Sequence, residues 1–210
     1  MNIFLTADTH FGHANIIKYC KRPFDYVEDM DAALETLWNE TVKPNDVVYH
    51  LGDISFSKTL PKLNGKITLV CGNHESTTKV RKWLIDGKLN AFVKDTMQLE
   101  RFTLSHHPVY DWMPRLCGHV HEKFLAVNNM INVGVDVWKF KPVAYEEVVK
   151  LYENIQPGLF EKAIRAVTGK QRTLWLPSAP RPRSNAASVA AASCSDKVGN
   201  CKGDCSCHHR

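Results

Sequence analysis

Five short clusters of aspartate, asparagine and histidine recur along this sequence between residues 8 and 121. They are Asp8-Thr9-His10, Gly52-Asp53, Gly72-Asn73-His74-Glu75, Ser105-His106-His107 and Gly118-His119-Val120-His121. Each cluster follows a short apolar run, and open α/β sheets bind their ligands at the carboxyl ends of the strands. Oxygen and imidazole ligands suit manganese, iron, zinc and related divalent cations. The clusters therefore predict a metal site at the edge of a sheet.

The spacing within two of the clusters favours shared ligation. Side chains alternate along an extended segment, so Asp8 and His10 fall on one side of the chain, as do His119 and His121. Asp53 is the candidate bridging ligand, because a carboxylate has two oxygens and can serve two cations. The absence of cysteine from the clusters argues against a structural thiolate zinc site.

Two residues near the first cluster have several interpretations. His13 can contact a substrate phosphate, support a metal ligand, or lie in a loop without a role. Arg22 can bind a substrate phosphate through its planar guanidinium, or pair with Asp25 or Glu28. His13 and Arg22 are therefore candidate substrate-binding residues with structural alternatives.

Other polar residues also have alternatives. His50 lies within an apolar strand, where a buried core histidine is favoured over a ligand. His107 is the alternative to His106 as a ligand, and Glu75 is expected to orient a neighbour. Asp136 can be a hydrogen-bond partner of a ligating histidine or have a purely structural role.

The elements that must position the clusters are short apolar strands and amphipathic helices. Strands are predicted over residues 2–6, 47–49, 66–71, 91–93, 97–100, 102–105, 115–117 and 130–133. Helices are predicted over residues 27–42, 57–63, 78–86 and 142–155. Most of the strands end at or just before one of the polar clusters.

The five clusters, taken in order, resemble the motifs of the calcineurin-like metallophosphoesterase family. The resemblance extends from Asp8 to about residue 156. The opening Thr6-Ala7-Asp8-Thr9-His10-Phe11-Gly12-His13, followed by Arg22-Pro23-Phe24, is similar to a compact branch of that family found in bacteria and phages. The resemblance implies an α/β fold, a four-layer α/β/β/α sandwich of two mixed β-sheets.

The resemblance also implies two divalent cations, with manganese favoured and iron, zinc, nickel or cobalt as alternatives. The implied ligands are Asp8, His10 and His121 for one cation, Asn73, His106 and His119 for the other, and Asp53 for both. A hydroxide bridging the cations would attack phosphorus. His74 would protonate the leaving group as a general acid, and its alternative role is to cap the following helix.

The implied function is hydrolysis of a phosphodiester or phosphomonoester. The partner expected is a phosphate-ester substrate such as a nucleotide, while nucleic acid and the oligomeric state are left open. The alternatives are a metal-binding scaffold without catalysis and a nuclease that uses the same site. The family acts on many substrates with one metal core, so the fold does not choose among them.

The charge and composition divide the chain near residue 156. The 210 residues carry a formal net charge of +5, yet residues 1–156 hold 18 basic and 19 acidic side chains. Residues 157–210 hold 9 basic and 3 acidic side chains. We predict a metallophosphoesterase domain over 1–156, a short amphipathic helix over 157–170, and a basic disordered tail rich in proline, serine, alanine and cysteine over 171–210.

The cellular compartment is inferred from the cysteines and from apolar segments. Cys20, Cys71 and Cys117 are scattered through the predicted domain, as expected of reduced core residues. No apolar run reaches the roughly 18 residues of a transmembrane helix, and the start of the chain does not resemble a signal peptide. We therefore expect a cytoplasmic protein with no membrane partner.

Overall fold

The strands of the computed structural model, which describes residues 1–155, form two five-stranded sheets. The strands are β1 (Ile3–Thr6), β2 (Val47–His50), β3 (Lys66–Val70), β4 (Ala91–Val93), β5 (Thr96–Leu99), β6 (Phe102–Ser105), β7 (Arg115–Cys117), β8 (Ala126–Val127), β9 (Met130–Asn132) and β10 (Val143–Ala144). The helices are α1 (Ala14–Tyr19), α2 (Val27–Thr41), α3 (Thr77–Ile85) and α4 (Tyr145–Ile155), with a 3₁₀ turn over Val135–Val137.

Both sheets are mixed, and both contain a parallel centre. The first sheet has the order β10-β1-β2-β3-β4, in which β1 to β4 are parallel and β10 is antiparallel. The second has the order β5-β6-β7-β9-β8, in which β6, β7 and β9 are parallel and the two edge strands are antiparallel. The prediction of an α/β fold with two mixed sheets is thereby confirmed.

Alternation along the strands of the first sheet divides its side chains between two apolar clusters. On β1, Phe4 joins the cluster that contains Trp38 of α2 and Trp83 of α3. The next residue, Leu5, joins the cluster that contains Phe102 and other side chains of the second sheet. Successive residues of a strand point to opposite faces, so helices cover one face of the first sheet and the second sheet packs on the other.

The longest predicted helix agrees with the structure. Helix α2 covers Val27–Thr41, and the buried Met30, Leu34 and Trp38 recur at the helical spacing that predicts it. Glu28 and Asp29 lie in its first turn, where the helix dipole favours negative charge.

The helix predicted over residues 57–63 is absent, and this prediction is wrong. The segment instead runs beside α2 and bonds to its side chains. Asn39 donates to the carbonyl of Lys62 at 2.8 Å and accepts the N–H of Asn64 at 2.7 Å. Glu35 accepts the N–H of Lys62 at 3.2 Å. These backbone groups are satisfied by α2, so the segment does not need helical hydrogen bonds of its own.

One helix and two strands were not predicted from the sequence, because each is too short to show periodicity. They are α1, β8 and β10. Strand β10 occupies residues predicted as the start of the last helix, and Ala144 instead pairs with Phe4 of β1. Helix α4 therefore begins at Tyr145.

The amphipathic helix predicted over 157–170 and the tail predicted over 171–210 lie outside the residues that the structure describes. The domain boundary near residue 156 thus stays a prediction. Within residues 1–155, no helix combines the length and the apolar character needed to cross a membrane.

Replacing Trp38 tests the packing of α2 on the first sheet. Trp38 is 1% exposed and its indole N–H donates to the Asn64 carbonyl at 2.9 Å. We expect Trp38→Ala to lower the free energy of unfolding by about 3–5 kcal/mol, because it leaves a large cavity. Urea denaturation measures the change, with the conservative Trp38→Phe expected to lose less. A loss below about 1 kcal/mol for Trp38→Ala would contradict this packing.

Candidate metal centre

Five of the predicted metal ligands have left-handed backbone, which non-glycine residues rarely adopt. Their φ angles are 57° for Asp8, 54° for His10, 55° for Asp53, 70° for His119 and 50° for His121. Such a conformation costs on the order of 1–3 kcal/mol per residue and persists only where surrounding contacts enforce it. The loops after β1, β2 and β7 therefore hold these side chains in directions that a relaxed chain would not choose.

Backbone hydrogen bonds connect the loops that carry the ligands. The N–H of Asp8 donates to the Gly52 carbonyl, and that of His10 donates to the Asp53 carbonyl, both at 3.0 Å. In the second sheet, the N–H of Gly118 donates to the His106 carbonyl at 3.0 Å. The loops at the carboxyl ends of neighbouring parallel strands thus form one structure.

Two glycines allow the close approach of the loops. A Cβ on Gly52 would lie 2.5 Å from Nδ1 of His106, and φ at Gly52 is +93°. A Cβ on Gly118 would lie 2.8 Å from Oδ2 of Asp8. Glycine is required at both positions because any side chain would displace a candidate ligand.

Asp8 is completely buried at the junction of the two sheets. Its carboxylate oxygens lie 3.0 and 2.8 Å from the backbone nitrogen of His119, whose N–H donates to them. Burial raises the pKa of Asp8 to about 6, against the lowering effect of the nearby His121 and His106. A cation bound beside this carboxylate would stabilise its charged form.

Asp53 lies among three imidazoles. Its Oδ2 is 3.5 Å from Nε2 of His106, 3.6 Å from Nε2 of His10 and 3.7 Å from Nε2 of His74. Burial opposes ionisation of Asp53, but the hydrogen bond and charge of His106, with His10 and His74, hold its pKa well below the usual range. This position between donor groups is the one expected of a bridging carboxylate.

Glu75 fixes the turn that presents Asp53. Its carboxylate accepts the N–H groups of Asp53 and Ile54 at 2.9 Å and that of Gly72 at 2.6 Å. Burial raises the pKa of Glu75, and the nearby Asp53 raises it further. These contacts agree with the expectation that Glu75 orients a neighbour.

The buried histidines are each oriented through Nδ1. In His106, Nδ1–H donates to the Leu51 carbonyl at 2.8 Å, so Nε2 faces Asp53. Nδ1 of His121 lies 2.8 Å from Oδ2 of Asp136, and Nδ1 of His10 lies 3.3 Å from Nδ1 of His13. Nε2 of His10 is buried and makes no hydrogen bond within residues 1–155. In His106 and His121 the oxygen acceptor places the proton on Nδ1 and leaves Nε2 for ligation.

The donor atoms form overlapping groups that could each hold a cation. In every group the ligand atoms lie within 4.8 Å of one another. The groups at the predicted site are Asp8 with His10 and His121, Asp8 with Asp53 and His106, and His106 with His107 and His119. Because the first two groups share Asp8 and the last two share His106, the donor atoms form one connected set from His10 to His119.

The second half of this connected set includes the predicted alternative ligand. His107 belongs to the group of His106 and His119, and its ring centroid lies 4.3 Å from that of His119. The choice between His106 and His107 is therefore not exclusive in the structure. Nδ1 of His119 lies 3.2 Å from Nε2 of His106, a separation that suits two ligands of one cation.

Two residues of the third cluster lie at the open side of the centre. Asn73 is exposed in the turn after β3, and its assignment as a ligand stays a prediction. The His74 side chain is 26% exposed, and its backbone N–H donates to Oδ1 of Asp53 at 3.2 Å. The cap of α3 is Ser76, whose hydroxyl accepts the N–H of Lys79. The alternative that His74 caps this helix is therefore wrong.

Arg22 is buried, which differs from both of its predicted roles. Its Nε and Nη2 donate to the Asp136 carboxylate at 2.8 and 2.9 Å, and its remaining N–H groups donate to the carbonyls of Asp8 and Thr9 at 2.7 and 3.0 Å. The guanidinium thus binds neither Asp25 nor Glu28 and is 4% exposed. It connects the Asp8 loop to the carboxylate that orients His121.

His13 and His50 are both buried, with different neighbours. His13 contacts His10 through Nδ1 and is covered by the ring of Phe56, whose centroid lies 3.8 Å away. Of its predicted roles, the support of a ligand fits this position. His50 lies 3.0 Å from the hydroxyl of Thr9 and stacks near Trp38, as predicted for a core histidine.

Two contributors were not predicted. Asn132 is fully buried at the end of β9, and its amide donates to the carbonyls of His121 and Phe124 at 2.6 and 2.9 Å. Phe56 stacks on histidines of the centre. Their signals were weak: an asparagine closing a short strand, and an aromatic residue three positions after Asp53.

Comparisons with known proteins give relatives but no activity. No protein-family model matches the chain. It is 36% identical over 171 residues to the "Uncharacterized protein MJ1445" of Methanocaldococcus jannaschii, with 72% of this chain and 91% of that protein covered. It is 26% identical over 202 residues to the "Gene 66 protein" of Mycobacterium phage D29, with 75% and 99% covered.

A solved structure shares the fold. The crystal structure of the protein of unknown function AQ665 from Aquifex aeolicus superposes with a TM-score of 0.57 at 23% identity. The match covers 71% of this chain and 98% of that protein. At this identity, the similarity extends to the fold alone.

Replacing Asp136 tests the support of His121. Asp136→Asn removes the charge and one acceptor that His121 and Arg22 share, so we expect manganese affinity to fall about 10–100-fold. Isothermal titration with Mn²⁺ measures the change, and urea denaturation reports any loss of stability separately. The matched control is Asp25→Asn, an exposed aspartate. Equal affinities in both variants would contradict this role.

Proposed function

We propose that this chain is a metal-dependent phosphoesterase of the calcineurin-like type. The chain belongs to the protein family that includes the uncharacterized Methanocaldococcus jannaschii protein MJ1445. The observation that carries the proposal is the position of Asp53, whose Oδ2 lies within 3.7 Å of three imidazole nitrogens. Asp8 lies beside this group in a second buried set of donors. Carboxylates shared between imidazoles at strand ends suit a pair of divalent cations.

The fold proposed is the four-layer α/β/β/α sandwich of metallo-dependent phosphatases. Its support is the face-to-face packing of two mixed sheets, with α2 and α3 on the outer face of the first. The site proposed lies where the parallel strands of both sheets end. Open sheets of this kind bind their ligands at that edge.

Two cations fit the donor set. Asp8, His10 and His121 would bind one, and His106, His119 and the amide oxygen of Asn73 would bind the other, with Asp53 between them. The support is that His106 and His121 are already oriented through Nδ1, while Nε2 of His10 is buried and makes no hydrogen bond within the described residues. We propose manganese for both cations, with iron, zinc, nickel or cobalt as alternatives, because mixed carboxylate and imidazole donors suit all of them.

When bound, the cations would supply an activated water nucleophile and neutralise charge on the phosphoryl oxygens. The chain itself would provide the proton for the leaving group. His74 is suited to this because its imidazole is partly exposed while Nε2 lies 3.7 Å from Asp53. As the phosphorus–oxygen bond to the leaving group breaks, the imidazolium would donate its proton to the departing oxygen.

Opposing effects act on the pKa of His74. Burial lowers the pKa of His74, while the charge of Asp53 opposes this effect. The nearby Lys79, His106 and His121 lower the pKa further. A lowered pKa favours the neutral imidazole at neutral pH, so His74 would have to gain its proton in the complex with the anionic substrate to act as a general acid.

The substrate proposed is a phosphodiester or a phosphomonoester, with a nucleotide as one example. The segment between β2 and β3 forms no helix and inserts no covering domain, which favours an accessible site. A metal-binding scaffold would have no use for a partly exposed imidazole beside the bridging carboxylate. We therefore favour catalysis over binding alone.

Metal removal tests the proposed reaction. Protein stripped with a chelator should hydrolyse neither bis-nitrophenyl phosphate nor nitrophenyl phosphate, and Mn²⁺ should restore turnover of at least one. Asp53→Asn should lower this turnover by about 10²-fold or more and weaken metal binding, since the bridging charge is lost. The control is Asp29→Asn, an exposed residue of α2. Absence of turnover with two metals bound per chain would overturn the proposal.

Replacing His74 tests the proton donor. His74→Ala should keep both cations and lower kcat by about 10²–10⁴-fold for an ester with a poor leaving group. The loss should be smaller for nitrophenyl esters, because nitrophenolate departs without protonation. Metal content by atomic emission and kcat for the two esters measure the outcome. If His74→Ala loses metal, then His74 is a ligand and the assignment fails.

A further inference from the structure

Phe56 is an exposed aromatic residue that covers the histidines of the metal centre. Its ring centroid lies 3.8 Å from that of His13 in a stacked arrangement, 4.4 Å from that of His74, and 5.6 Å from that of His10. The residue is 37% exposed, so burial of an apolar side chain does not by itself explain its position. One aromatic ring therefore contacts both the proposed proton donor and the side chains behind the first cation site.

The ring of Phe56 is held by the surrounding backbone. The backbone N–H of Phe56 donates to the Phe11 carbonyl at 2.8 Å, within the loop that carries His10 and His13. Lys79 of α3 donates to the adjacent Ser55 carbonyl at 2.6 Å, and its Nζ lies 5.9 Å from the Phe56 centroid. A ring fixed by two elements can restrain the imidazoles it contacts.

His13 transmits this restraint to a candidate ligand. Its ring is 7% exposed because Phe56 covers it, and its Nδ1 lies 3.3 Å from Nδ1 of His10. Without the covering ring, the His13 side chain would be exposed to water and could adopt other rotamers. The orientation of His10 depends in turn on this contact.

His74 depends on Phe56 more directly. Its side chain is 26% exposed, so the core does not immobilise it as it does the buried ligands. The contacts that limit its motion include the Phe56 ring and the Asp53 carboxylate. A proton donor is effective only while its nitrogen stays within reach of the leaving oxygen.

We infer that Phe56 is a positioning residue of the proposed phosphoesterase reaction, holding the His74 imidazole beside Asp53 and the His13 imidazole against His10. The inference rests on the proposed function in its assignment of His74 as proton donor. The contact of Phe56 with the two imidazoles is a property of the chain and can be measured without catalysis.

The kinetic test compares variants that differ in the ring. Phe56→Ala should lower kcat about 10–100-fold for an ester with a poor leaving group, with a smaller loss for nitrophenyl esters and an unchanged KM. At saturating Mn²⁺ the manganese content should stay at the wild-type value, although the loosened His10 should lower the affinity for the cation. Phe56→Tyr should retain wild-type kcat, whereas Phe56→Leu should fall between the two because it keeps apolar volume without the ring. The control is Trp112→Ala, which removes another exposed aromatic residue.

A second measurement does not need activity. In ¹H–¹³C correlation spectra, the ring C–H signals of His74 and His13 feel the aromatic ring current of Phe56. Phe56→Ala and Phe56→Leu should shift both sets of signals, Phe56→Tyr should leave them near their wild-type positions, and the signals of His50 should not move. This spectrum also reports whether each variant is folded.

The two measurements separate the possible failures. If the wild-type protein hydrolyses no ester while the His74 and His13 signals shift as expected, the proposed function fails and the contact of Phe56 with both imidazoles stands. If Phe56→Ala keeps wild-type kcat for both leaving groups, or leaves the His74 signals unmoved, the inference is overturned. Equal loss of kcat for good and poor leaving groups would also overturn it, since a general structural defect produces that pattern.

Discussion

The structure depends on the burial of two carboxylates, Asp8 and Asp53, between its sheets. Both are at most 1% exposed, and a buried charge is costly unless hydrogen bonds and opposite charges compensate it. Asp8 is compensated by the N–H of His119, and Asp53 by the N–H of His74 and by surrounding imidazoles. Buried carboxylates, imidazoles and backbone N–H groups are thus concentrated in one small region of the fold.

That region also joins the two halves of the core. The N–H of His119, beyond β7, bonds to Asp8, beyond β1, and His106 donates from the second sheet to the Leu51 carbonyl of the first. The apolar cluster between the sheets lies directly behind these contacts. Packing of the sheets and assembly of the site are therefore coupled, because a shift of one sheet would separate donors that come from both.

Several polar residues around the site are used entirely for positioning. Arg22 and Asp136 link the first loop to His121, Asn132 holds the carbonyl of His121, and Glu75 holds the turn of Asp53. Each of these side chains is bonded to backbone or to another side chain of the centre. Such contacts maintain left-handed residues that would otherwise relax.

The sequence by itself determined the elements with a long hydrophobic period, such as α2, and the clusters of donor residues at strand ends. These follow from local rules, because periodicity and strand termini are properties of neighbouring residues. Only the tertiary structure decided what Arg22, Phe56 and His107 contact. Their partners lie far away in sequence, as Asp136 does from Arg22, or depend on loop geometry that spacing does not encode. Long-range packing selects among side-chain partners that the sequence leaves equivalent.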